Sequence, residues 1–215
     1  MKFQKNHFID RVLDPGAAQK IERTAFWARE LWLLPILILA ALVRVYGSTA
    51  SAIWCDEGSS LLMSQYSPAL IWFHSAHDVH PPLYYFLLHL WIEVFGNGIF
   101  SVRSMSVVPG ILTVALGVWL VQLIATRRAA ILAGVLLALL PIAVRYSQEV
   151  RMYSLMGFWL MGATIALVYW VKNPDRHRYL VIYSLLMAAS FYTHYFTGLC
   201  RSEEHTSELQ SPVLS

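Results

Sequence analysis

SVRSMSVVPGILTVALGVWLVQLIA, Ser101 to Ala125, holds one charged residue in 25, and that residue, Arg103, stands near its beginning. A bilayer core about 30 Å thick is crossed by roughly 20 apolar residues wound as an α-helix, which closes its backbone hydrogen bonds within itself. The stretch meets that requirement. The rest of the chain agrees, since 57% of its 215 residues are hydrophobic and 13% charged, against about 25% charged in an ordinary soluble domain. The sequence therefore predicts an all-α, polytopic membrane protein.

Working outward, similar runs cover about Ala25 to Tyr46, Ala129 to Val144, Met152 to Val171 and Tyr179 to Leu199, which makes five expected spans. The third is short and the fifth more polar. Residues 1–24 form a basic arm, and no small-residue cleavage site follows it, so the first run reads as a retained anchor.

Lys and Arg accumulate in cytoplasmic loops. Lys2, Lys5, Arg11, Lys20, Arg23 and Arg29 precede or open the first span, Arg127 and Arg128 follow the second, and Lys172, Arg176 and Arg178 follow the fourth. These groups belong inside. Pro82 to Phe95 is also apolar, but at about 1.5 Å per residue it reaches only about 21 Å, and counting it as a span would carry Arg127 and Arg128 outside. It reads as a short helix in the outer interface, within a first external loop from Gly47 to Phe100; the rival reading is a genuine span that violates the positive-inside pattern.

The hydrophobic pattern stops at Cys200. RSEEHTSELQS, Arg201 to Ser211, resembles the conceptual translation of a widely used sequencing adapter, so 201–215 is expected to be non-native and the native membrane module, 25–200, truncated. Setting aside Arg201, Glu203, Glu204 and Glu208 from 16 basic and 13 acidic residues leaves 15 and 10, about +5. That charge lies in the arm and inner loops, so it speaks for topology and against nucleic acid as a partner. Two cysteines, Cys55 and Cys200, make no framework, and there is no Gly-rich phosphate loop.

With this topology the outer face collects chemistry. WCDEGSSLLMSQY brings Asp56 and Glu57; HSAHDVHPPLYY brings His74, His77, Asp78, His80, Tyr84 and Tyr85; Arg103 opens the next span; RYSQEVRMY brings Arg145, Glu149, Arg151 and Tyr153; YTHYF brings His194 and Tyr195. Ionisable groups at a membrane are costly unless paired or used. Each also has a structural reading. Asp56 and Glu57 serve as caps of a helix from Gly58, Arg103 and Arg151 as snorkelling anchors, Glu149 as a partner of Arg145 or Arg151, and the tyrosines as an aromatic belt.

As an ordered set, DE after a first span, HPPLYY, an Arg opening the next helix, YSQEVRMY and YTHYF resemble the amino-terminal half of a glycosyltransferase family 39-like membrane enzyme. The family belongs to the GT-C superfamily, with protein O-mannosyltransferases and lipid A aminoarabinose transferases as relatives, and the resemblance covers about Leu31 to Leu199. It implies transfer of a sugar from a polyprenyl phosphate donor to a hydroxyl of a glycan, lipid or protein, with inversion. It also implies an integral protein of a prokaryotic plasma membrane with its site facing outside. The family's catalytic carboxylate falls on Asp56 as general base, with Glu57 orienting the acceptor or tuning its neighbour. Arg103, Arg145 and Arg151 are the cations for the donor phosphate, and His80, Tyr84, Glu149, Tyr153, His194 and Tyr195 complete the expected substrate site. Val79 and His80 stand where the aminoarabinose branch carries an acidic and a basic residue before the proline, which leaves the sugar open.

The alternative from another class is a metal-binding transporter or metalloprotein. His74, His77 and His80 recur every third residue beside Asp78, and imidazoles with a carboxylate suit zinc or copper. No cofactor is required by the transferase reading, although a divalent metal ion is compatible with it. A third reading is a scaffold subunit, which has no need of Asp56.

Overall fold

The computed structural model describes residues 31–77 and 80–195, and every regular element among them is helical. The basic arm, the expected first turns of span one at 25–30, Asp78 and Val79, and the chain from 196 onward, including the adapter-like tail, lie outside the described residues.

α1 (Leu33–Val45) ends at Tyr46, and the first loop then folds into three helices, α2 (Cys55–Ser64), α3 (Pro68–Ser75) and α4 (Leu83–Phe95). α5 (Ile99–Ile124) and α8 (Tyr153–Lys172) are each long and apolar enough to cross a bilayer. Between them lie α6 (Arg127–Leu139) and α7 (Pro141–Ser147), and α9 (Arg178–Thr193) closes the described part. α5 packs against α1, α6 and α8, and α9 packs against α8. Outward-facing Leu34, Ile38, Leu42, Leu132, Leu136 and Leu185 stay exposed, as lipid-facing side chains should.

The expected third span is not one straight helix. α6 and α7 meet at 55° across Leu140, whose ψ of 112° lies outside the helical region. The cause is Pro141, which disfavours the helical conformation of the residue before it and has no N–H for the carbonyl of Leu137, four residues back. Where α7 returns toward α5, Gly110 makes the approach possible: a Cβ there would stand 2.4 Å from Ser147 Oγ.

The expected short helix is present as α4. Trp91 Nε1 donates to the Ser101 carbonyl (2.9 Å), and the buried Tyr84 lies near Ser106, so α4 runs back along the first turns of α5 only. α5 alone spans about 39 Å at 1.5 Å per residue, and at its far end Lys172 Nζ donates to the Leu123 carbonyl. The bundle therefore has two unlike ends. One gathers the first loop, the starts of α5 and α8 and the ends of α1, α7 and α9. The other carries Arg127, Arg128, Lys172, Arg176 and Arg178.

Candidate active site

α2 starts after Trp54, an extended N-cap residue, and Glu57 in its first turn accepts the Trp54 N–H at Oε2 (3.4 Å). Capping is a small part of what this carboxylate does. Arg103 donates from Nε to Oε1 (3.0 Å) and from Nη2 to Oε2 (2.7 Å), a two-pronged contact. The Val150 N–H donates to Oε1 (2.8 Å). The remaining Arg103 N–H groups reach the carbonyls of Ser48 (2.7 Å), Ser51 (3.0 Å) and Ala52 (3.3 Å). A guanidinium has five N–H groups, and here each has an acceptor within the protein. Glu57 and Arg103 are both fully buried. Burial opposes ionisation of Glu57, but Arg103, the Val150 N–H and the Trp54 N–H together hold its pKa below the usual glutamate range. The pair ties residues 48–52, α2, α5 and the α7–α8 connection into one unit.

Asp56, one residue earlier, has a different setting. Its side chain is 47% exposed, and Oδ2 lies 3.6 Å from Nη2 of Arg151, whose own side chain is 9% exposed. Arg151 Nη1 approaches the Asp56 carbonyl (3.4 Å), while Nε is buried with no hydrogen-bond partner among the described residues. The Arg151 carbonyl accepts from Ser106 Oγ (3.1 Å), which anchors the arginine's backbone to α5. Its guanidinium stands 5.7 Å from the ring centre of Tyr153. From Tyr153 an aromatic row continues to His194 (5.6 Å) and then to His80 (5.4 Å). Tyr84 is buried beneath the site, and burial pushes its phenol pKa well up.

The structure thus brings Asp56, Glu57, Arg103, Arg151, Tyr153, His194, His80 and Tyr84 to one end of the bundle. Arg145 pairs with Glu149 (3.3 Å) at the edge of this group, its side chain 73% exposed. Tyr195 faces outward. The three histidines of the metal reading are not gathered. His74 lies against Tyr66 and Phe73, His77 Nδ1 contacts the Phe73 carbonyl, and His80 faces His194. α3 ends at Ser75, so the three-residue spacing does not continue as a helical face, and among the described residues no group of three His, Cys, Asp or Glu is placed to hold a metal.

Two residues outside the expected set matter to the architecture. Arg44, fully buried in the last turn of α1, donates to the carbonyls of Ala138 (2.9 Å) and Leu137 (3.2 Å), the groups left open by the break before Pro141. Gln148 Nε2 reaches the carbonyls of Val43 (3.2 Å), Arg44 (3.2 Å) and Tyr46 (2.9 Å) at the end of α1. A cation inside an apolar run was the available sequence signal for Arg44; Gln148 carried none.

A family model described as dolichyl-phosphate-mannose-protein mannosyltransferase matches residues 79–201, more than half of the chain. The matched region contains Arg103, Arg151, Tyr153 and His194 and begins after Asp56 and Glu57. No curated protein and no solved structure matches significantly.

Proposed function

Because the chain belongs to the dolichyl-phosphate-mannose-protein mannosyltransferase family, a group of membrane glycosyltransferases that use polyprenyl-phosphate sugars, we propose that Asp56 is its general base and Arg151 its phosphate-compensating cation. The observation that carries this reading is the contrast within DE: Glu57 is sealed by four donors, whereas Asp56 is half-exposed beside a buried guanidinium with an unused N–H.

In the proposed step the acceptor hydroxyl oxygen attacks C1 of the sugar, its proton passes to a carboxylate oxygen of Asp56, and the C1–O bond breaks with its electron pair going to the lipid phosphate. Attack opposite the departing phosphate inverts the anomeric centre. Arg151 compensates the charge that develops on the phosphate, in a site where partial burial strengthens the interaction. Tyr153 supports the guanidinium, and His194 and His80 line the approach. Arg145, exposed at the rim, is the second cation available to the phosphate. Glu57 and Arg103 act as positioning residues. The acceptor is a hydroxyl of a glycan, lipid or protein, and the location is a prokaryotic plasma membrane. The lipid tail of the donor explains the membrane setting, since the phosphate must meet Asp56 and Arg151 while the tail stays in hydrocarbon.

The test is Asp56→Asn in the product of the intact gene. Asn caps helices about as well as Asp but takes no proton, so turnover should fall roughly 100-fold or more, with affinity for a polyprenyl monophosphate unchanged. Near-normal turnover would remove Asp56 from the mechanism. Orientation is tested separately. In a cysteine-free background, cysteines placed at Ser59 and His77 should react with an impermeant thiol reagent from outside the cell, and cysteines at Thr126 and Asn173 should not; the reverse pattern would turn the site inward.

A further inference from the structure

Two helix ends in this bundle satisfy each other. The carbonyl of Leu137 is orphaned because Pro141 has no N–H, and that of Ala138 because the chain turns by 55°; Arg44 of α1 donates to both. In return, the last carbonyls of α1, which no helical N–H can reach, accept from the Gln148 carboxamide just beyond α7. Gln148 is the first residue of a short connection, residues 148–152, two of whose members, Val150 and Arg151, touch the site. The Val150 N–H is held by Glu57, the Arg151 carbonyl by Ser106, and the Arg151 guanidinium lies against Asp56.

The backbone bonds of this connection, Gln148 N–H to the Arg145 carbonyl (3.0 Å) and Arg151 N–H to the Glu149 carbonyl (2.8 Å), make no helical ladder, so its path depends on these side-chain ties as well. Val150 and Ser106 fix its carboxyl-terminal half. Its amino-terminal half is held to α1 by Gln148, whose two N–H groups serve three carbonyls. A slack start to the connection would move Arg151 relative to Asp56, and displacements of about 1 Å are enough to matter in a preorganised site.

We propose that Gln148 is a positioning residue of the transfer reaction, which sets Arg151 against the donor phosphate by gripping the end of α1. The proposal rests on Arg151 being the phosphate-compensating cation, and the experiment separates the two. The probe is a short polyprenyl monophosphate, the product common to any polyprenyl-phosphate sugar donor, and its Kd is measured on the purified product of the intact gene. Gln148→Glu keeps the shape but presents oxygens to the three carbonyls. It should weaken binding about tenfold, and Arg151→Ala should weaken it at least as much. If Gln148 acts through Arg151, the double variant binds no more weakly than Arg151→Ala alone, the signature of coupled neighbours. Gln148→Lys restores donors to the α1 carbonyls and should bind within about threefold of wild type, which keeps the test valid if Gln148→Glu folds poorly. Additive losses in the double variant, or a Gln148→Lys protein as weak as Gln148→Glu, would overturn the positioning role. An Arg151→Ala protein with wild-type affinity would overturn the role of Arg151 as well.

Discussion

Asp56 and Glu57 are neighbours in the chain, each faces an arginine, and the two pairs are built to opposite ends. The Glu57–Arg103 pair is fully buried, its nitrogen–oxygen distance is 2.7 Å, and every N–H of the guanidinium is engaged. The Asp56–Arg151 pair is half open at 3.6 Å, with a guanidinium nitrogen left without an acceptor among the described residues. A saturated pair has nothing left to offer a substrate, and an unsaturated pair contributes little to holding the chain together. In the proposed mechanism these adjacent residues of the same charge divide stability from chemistry, and the division follows from hydrogen-bond accounting more than from residue type.

The comparison is most easily broken at Glu57. Glu57→Ala leaves the Arg103 charge buried and unpaired, which should lower unfolding free energy by about 3–5 kcal/mol. Thermal unfolding in detergent micelles measures it, and a midpoint equal to wild type would mean the pair is not structural. A smaller effect is expected from pH. Because the folded pKa of Glu57 lies below its unfolded value, the carboxylate's contribution is complete above the ordinary glutamate range and fades as pH falls through the depressed folded value. Wild type should therefore lose more stability than Glu57→Gln in the acid range below about pH 4, the ordinary glutamate value, and the two should run parallel from neutral pH down to the upper edge of that range; unfolding midpoints across pH decide it. The smallest effect belongs to Asp56→Ala, where a half-exposed pair is worth about 0–1 kcal/mol. If its loss in the same micelle assay matched that of Glu57→Ala, the two pairs would not differ as described.

What the sequence allowed to be read follows from the range of the interactions. α5 and α8 were legible because an uninterrupted apolar run is a one-dimensional property, and the helix α4 was legible in the same way as a shorter run between Pro82 and Gly96. The bend before Pro141 was also written in the sequence, but a continuous apolar run from Ala129 to Val144 masked it. Which carboxylate would be sealed was not legible, since Glu57 is closed by Arg103 and Val150, 46 and 93 residues away. Arg103 illustrates the same point: the family resemblance made it one of three cations for the phosphate, while its engagement by Glu57 and by the loop carbonyls of residues 48–52 was not legible. The regular spacing of His74, His77 and His80 pointed to one face of a helix that in fact ends at Ser75.

The contact of Arg44 with the carbonyls of α6 also has a schedule. Its partner Leu137 is made 93 residues later, which at about 5–20 residues per second is a delay of roughly 5–20 s during synthesis. For that interval α1 carries an uncompensated cation, tolerable because Arg44 lies one residue from the helix end, where its side chain extends to the headgroups. The arrival of α6 then draws the guanidinium inward. The first helix is therefore finished as a folded element only by the third long hydrophobic segment to emerge after it, α6 following α4 and α5, so membrane insertion and helix completion are separate events for this chain.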